Sequence, residues 1–158
     1  MQGIIEHTPP WVWALLVLLI LVGLRASRTR ATSAIPYYVL PALVILAAQT
    51  VSGLAAPLAG WIAFVIGYAG AAFVSFGWQD GLVLAKAGHR ITVRGEWLTL
   101  VVMIAIFGAN FALGALVGMG SAVVQSTLFA GIVAAILGAA SGHFAGRAVR
   151  IATMGDRG

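Results

Sequence analysis

Residues 35–76 carry no charged side chain. A helix crossing the hydrocarbon core of a bilayer takes about 20 apolar residues. The run is therefore too long for one crossing and right for two, with Pro57 marking the turn between them. Composition agrees: the chain is 61% hydrophobic and only 8% charged, where a soluble domain carries about a quarter charged residues. Its mean hydropathy is +1.04. A water-soluble surface cannot be made from such a sequence, and 158 residues without a polar linker suit one domain spanning 1–158.

The punctuation between apolar runs predicts an all-α membrane protein, a bundle of five transmembrane helices over about 9–27, 36–55, 57–78, 96–117 and 122–148. Thr8 before Pro9 and Pro10 reads as an N-cap followed by prolines in a first turn, where a missing N–H costs little. Pro36 and Pro41 open the second helix in the same way, and Gly118, Met119, Gly120 and Ser121 form the last turn. After Trp78 the character changes. Gln79, Asp80 and Gly81 lead into two short β-prone stretches around Gly88, which predicts a β-hairpin-like loop between helices three and four.

The chain contains nine Lys and Arg. Arg25, Arg28 and Arg30 follow helix one; Lys86, Arg90 and Arg94 lie between helices three and four; Arg147, Arg150 and Arg157 end helix five. With five crossings all of them fall on one side, so the positive-inside rule puts the N-terminus outside and the C-terminus and the hairpin in the cytoplasm. The first helix is not a cleaved signal peptide on this reading, because Glu6 precedes it and the arginines follow it. Trp11, Trp13, Trp61, Trp78 and Trp97 lie near helix ends, where indoles anchor at the headgroup layer.

Lipid tails are as apolar as leucine, so membrane helices associate through close packing, commonly of small residues four apart. Helix five carries such a stripe in Ala130, Ala134, Gly138, Gly142 and Gly146, helix three in Ala63, Gly67, Ala71 and Ser75, and helix four in Gly114 and Gly118. These spacings predict a central helix five packed against helix three or four.

Ionisable groups deep in a membrane mark function, and none lies near the middle of a predicted helix. The polar candidates there are Gln49, Thr50, Ser52 and Asn110. Asn110 shares a face with Gly114 and Gly118, and an amide pair between Gln49 and Asn110 would either fix packing or line a path for a small solute. Near the cytoplasmic end His143, Arg147 and Arg150 share one helix face, with Asp80 as a partner for one arginine. They form a candidate patch for an anion or a lipid headgroup, or else snorkel to the interface. The absence of cysteine removes thiolate zinc, iron–sulfur and thiol chemistry. His7 and His143 lie on opposite sides of the membrane and His89 in a loop, so no haem or metal cofactor is expected. No Walker A loop, dinucleotide fingerprint or Gly-x-Ser-x-Gly elbow occurs, and no enzyme is expected. Basic residues beside anionic lipid leave no need for nucleic acid.

Four segments carry a resemblance: His7, Thr8, Pro9, Pro10, Trp11, Val12 and Trp13; the short basic loop leading to Pro41; Gly95, Glu96 and Trp97; and 142–147, with Gly146, Arg147 and Ala148 at its core. Over nearly its whole length the sequence resembles a bacterial family of small inner-membrane proteins classed as a domain of unknown function, departing from it at Arg94, where members often carry proline. The resemblance implies the topology and no activity. The expectation is a multi-pass protein of the bacterial inner membrane that contacts membrane lipids and acts as a structural, accessory or oligomeric component, alone or with a membrane-protein partner. The alternative is a small-solute channel or carrier using Asn110 and Gln49.

Overall fold

The computed structural model describes residues 10–87 and 90–155, apart from the side chains of Trp11 and Asp80. Within them the chain is mostly helical, with one small sheet. Helices α1 (Pro10–Ala26), α2 (Ile35–Ser52), α3 (Pro57–Trp78), α4 (Leu98–Gly118) and α5 (Thr127–Thr153) follow in order. The last four are long and apolar enough to cross a membrane, and α1 is a shorter apolar helix.

Local chemistry explains where these bounds depart from expectation. Pro41 has no N–H to give an α-helical ladder, and α2 tightens to a 3-10 turn at Leu40–Leu43 before resuming. That helix stops at Ser52, not at 55, because Gly53 caps it, its N–H reaching the Gln49 and Thr50 carbonyls at 3.2 and 3.1 Å. α5 begins at Thr127 and not at 122. Residues Ala122–Gln125 form a separate 3-10 turn, and Ser126 then turns extended and accepts the Phe129 N–H at 3.2 Å as an N-cap.

α5 also runs past 148 to Thr153, about 40 Å of helix at 1.5 Å per residue. A hydrocarbon core is about 30 Å thick. The extra turns carry the sheet, which has three antiparallel strands in the order β1 (Arg30–Ser33), β3 (Arg90–Val93), β2 (Val83–Ala87). The expected hairpin is thus joined by a third strand from the loop after α1. Ile91 and Val93 point inward with Val83, Ala34, Ile151 and Met154, while Thr92 between them is half-buried and Arg90 and Arg94 on either side are exposed. Lys86 Nζ donates to the Ile151 and Met154 carbonyls at 2.7 and 2.5 Å, which satisfies and charges the C-terminus of α5.

The helical core lies between α3 and α5. Methyl groups placed on Gly138, Gly142 and Gly146 would fall on the carbonyls of Phe64, Tyr68 and Ala72, and one on Gly67 would come within 2.7 Å of the Ala135 carbonyl. Each step of four residues on α5 matches a step of four on α3, so the two helices run parallel, backbone against backbone. Val51, Phe64, Val133 and Leu137 fill the space beside this seam. Of the most apolar stretch of α5, 56% is buried, against 17% for α3 and 6% each for α2 and α4, which makes α5 the central element. Of the two partners expected for helix five, α3 makes the seam; the small residues of α4 do not, since Gly108, Gly114 and Gly118 have nothing within 4 Å of an added methyl. α4 packs instead through other residues, on α1, where Gly23 makes room for Leu100, and on α5, where Ile106 and Leu113 reach the core.

Candidate functional site

The polar groups of the bundle gather where α3 and α5 end and α4 begins. Helical spacing of four puts His143 and Arg147 on one face of α5, and both are buried. Arg147 ion-pairs with Glu96 Oε1 and donates to Thr99 Oγ1 at 2.8 Å; Thr99 donates to the same carboxylate oxygen at 2.9 Å. The Tyr37 ring of α2 lies under the guanidinium, 5.1 Å from its centroid. Behind the arginine, His143 joins Arg147 Nη1 through Nε2 at 3.4 Å and Ser75 Oγ through Nδ1 at 2.6 Å. Four helices are therefore tied into one network.

Arginine can only donate, and the two hydrogens of Nη1 serve Glu96 and Thr99 at the shorter distances, so the 3.4 Å contact with His143 is the weakest of the three; the tautomer with Nε2 toward the cation and Nδ1–H toward Ser75 is the one that suits it. In that tautomer the imidazole donates to the serine. A nucleophilic Ser–His pair needs an acid behind the histidine, whereas here a cation stands there. The network can hold helices and neutralise charge.

Several expectations change. His143 and Arg147 do not form a headgroup patch: they are 5% and 3% exposed, and the countercharge of Arg147 comes from Glu96. Arg150 lies over the Phe76 ring, 4.9 Å from its centroid. The side chain of Asp80 lies outside the described residues, as do His7 and His89. The structure does not join Gln49 to Asn110. Both are exposed, and Asn110 donates to the carbonyl of Ile106 in its own helix at 2.9 Å. Asn110 borders an apolar cleft of about 590 Å³ between α1, α2, α4 and α5, together with Thr50 and Ser141, and Gln49 is not part of its wall.

Sequence reasoning missed Glu96, Thr99, Ser75 and Tyr37 as partners, and missed Gln79. The last is 0% exposed and neither of its amide atoms has a partner among the described residues. One signal for Glu96 was present, since the chain has only four acidic residues and this one opens a helix on the basic side. Among the described residues no three His, Asp or Glu side chains are grouped to hold a metal.

A second, open cleft of about 690 Å³ lies beside the network, walled by the end of α3, by Arg94 and Glu96, and by the start of α4. No family model, no curated protein and no solved structure matches the chain.

Proposed function

We propose that this chain is a multi-pass protein of the bacterial inner membrane, with five crossings, an outside N-terminus and a cytoplasmic C-terminus, that works by association within the bilayer rather than by catalysis. It is a structural or accessory component, or an oligomer of itself. The observation that carries this reading is the contrast between α5 and α4. Small residues at four-residue spacing are used up inside the chain on α5, while Gly114 and Gly118 leave an open notch on α4, a helix with little of its surface buried. A second helix seated there would approach as closely as α3 approaches α5.

The chain has no cysteine, so a single introduced thiol reports cleanly. Gly114→Cys or Gly118→Cys in native membranes is expected to form an intermolecular disulfide or to cross-link to a partner. Phe73→Cys, at an 83% exposed position on α3, is expected to stay monomeric. Equal cross-linking at all three positions, or none, refutes docking through α4. The alternative, passage of a small solute, has one support: Asn110 with Thr50 on the wall of the apolar cleft. Flux in proteoliposomes that is unchanged by Asn110→Leu removes that role.

A further inference from the structure

Three polar side chains reach the wall of the apolar cleft of about 590 Å³ between α1, α2, α4 and α5. Thr50 returns its hydroxyl to the Leu46 carbonyl at 3.2 Å, and Asn110 returns an amide N–H to Ile106 at 2.9 Å, each within its own helix. Ser141 of α5 does not. It is 6% exposed, and its hydroxyl has no partner among the described residues. Its oxygen is open to the cleft it lines, unlike the sealed amide of Gln79. A buried O–H without an acceptor is costly and calls for one. Leu137, Ser141 and Phe144 form a buried floor, whereas Leu15, Leu43 and Leu46 on the α1 and α2 walls are 37%, 43% and 60% exposed. The cleft therefore opens sideways, between α1 and α2. Its wall runs from Leu40 to Thr50 on α2 and from Met103 to Phe111 on α4. At 1.5 Å per residue that is about 12–15 Å of depth, beginning about 7 Å from the start of either helix. In a hydrocarbon core about 30 Å thick the cleft straddles the midplane.

Size and depth narrow the occupant. The volume spread over that depth gives a mean section of about 40–50 Å², little more than half that of a helix about 10 Å across, so a partner helix does not enter. A charged amphiphile would find no countercharge on this wall. A phospholipid chain fits but brings no acceptor to the midplane, because its ester carbonyls stay with the headgroup. We propose that the cleft binds the ring of a hydrocarbon-tailed quinone, one ring carbonyl accepting from the Ser141 hydroxyl. Such a molecule is neutral and flat, and it has no headgroup to hold it at the surface. Phe107, Phe111 and Phe144 line the cleft, and the first two rings lie 5.9 Å apart and 9° from parallel. Phenyl groups of this kind favour offset or edge contact with a second ring. The tail leaves through the opening between α1 and α2.

The inference rests on the chain spanning a bilayer and does not depend on what docks at the α4 notch. The test is native mass spectrometry of the full chain released from micelles that contain equal amounts of a benzoquinone with a ten-carbon tail and a ten-carbon alkylbenzene, which lacks the carbonyls. One quinone per chain is expected to stay bound, with about fivefold preference over the alkylbenzene, the effect of one neutral hydrogen bond. Ser141→Ala removes a hydroxyl that no described residue uses, and it is expected to bring the two compounds level. Leu43→Trp, at the exposed mouth, is expected to lower retention of both. If either variant does not fold, the comparison of the two compounds on the native chain still decides. Equal retention by the native chain means that any hydrocarbon fills the cleft, and overturns the proposal. So does a quinone preference untouched by Ser141→Ala, and so does retention untouched by Leu43→Trp, which would put the molecule elsewhere on the protein.

Discussion

Arg147 is 3% exposed, and its countercharge stands on a residue 51 positions earlier. Desolvating both ions is costly, and their attraction offsets that cost only while the pair is complete. Glu96→Ala therefore leaves a buried guanidinium with Thr99 and Tyr37 as its remaining partners. It is expected to lower unfolding stability in detergent by about 3–5 kcal/mol. Glu96→Ala combined with Arg147→Met removes both charges and is expected to recover most of the loss; equal damage in the double variant would show that the pair contributes nothing as a pair. Here the sequence was half legible. Spacings of four and three place His143, Arg147 and Arg150 on one face, but whether that face looks to headgroups or to Glu96 depends on which helix end abuts the last turns of α5. Asn110 shows the opposite failure: its face reads as inward beside Gly114 and Gly118, yet it is exposed and bonds its own backbone.

Between elements, identical small-residue spacing had different outcomes. On α5 it marks the seam with α3, and on α4 it marks nothing inside the chain. Lipid and protein interior are equally apolar, so hydropathy cannot separate a packed face from a lipid-facing one. The consequence is measurable. Gly142→Ala pushes a methyl into the Tyr68 carbonyl and is expected to cost about 1–3 kcal/mol, as overpacking does, read as a lower midpoint of thermal unfolding. Gly114→Ala, with open space around it, is expected to stay within about 0.5 kcal/mol. The sheet behaves similarly. Its hairpin was legible from two β-prone stretches around a glycine, whereas the four residues of β1 are too few to announce a strand until β3 offers an edge. Lys86 joins this sheet to α5. Lys86→Met is expected to speed hydrogen exchange at the last turn of α5, near Ile151 and Met154, and to leave the seam at 138–146 unchanged.

At the scale of the molecule, the sheet decides which ends lie together. β1 connects α1 to α2, β2 and β3 lie between α3 and α4, and their inner face packs on Ile151 and Met154 at the end of α5. The end of α1, the start of α2, the end of α3, the start of α4 and the end of α5 therefore meet at one pole, and the turn at 118–126 belongs to the other. Arg25 to Arg150, all the described Lys and Arg, sit around the first pole. Hydropathy and charge counting had placed the basic loops together only by assuming that each apolar run crosses; the sheet does so through hydrogen bonds, with no reference to a membrane. What the geometry adds to the positive-inside argument is that the basic pole is a single folded surface, so its sidedness is all or none. With no native cysteine, single cysteines at Thr29, Gly120 and Gly155 test it. In intact cells a membrane-impermeant maleimide is expected to label Gly120→Cys and to spare the other two until the membrane is opened. Labelling of Thr29→Cys and Gly155→Cys together, with Gly120→Cys protected, would invert the protein in the membrane while keeping the fold. Labelling of Thr29→Cys and Gly155→Cys from opposite sides would contradict the sheet itself.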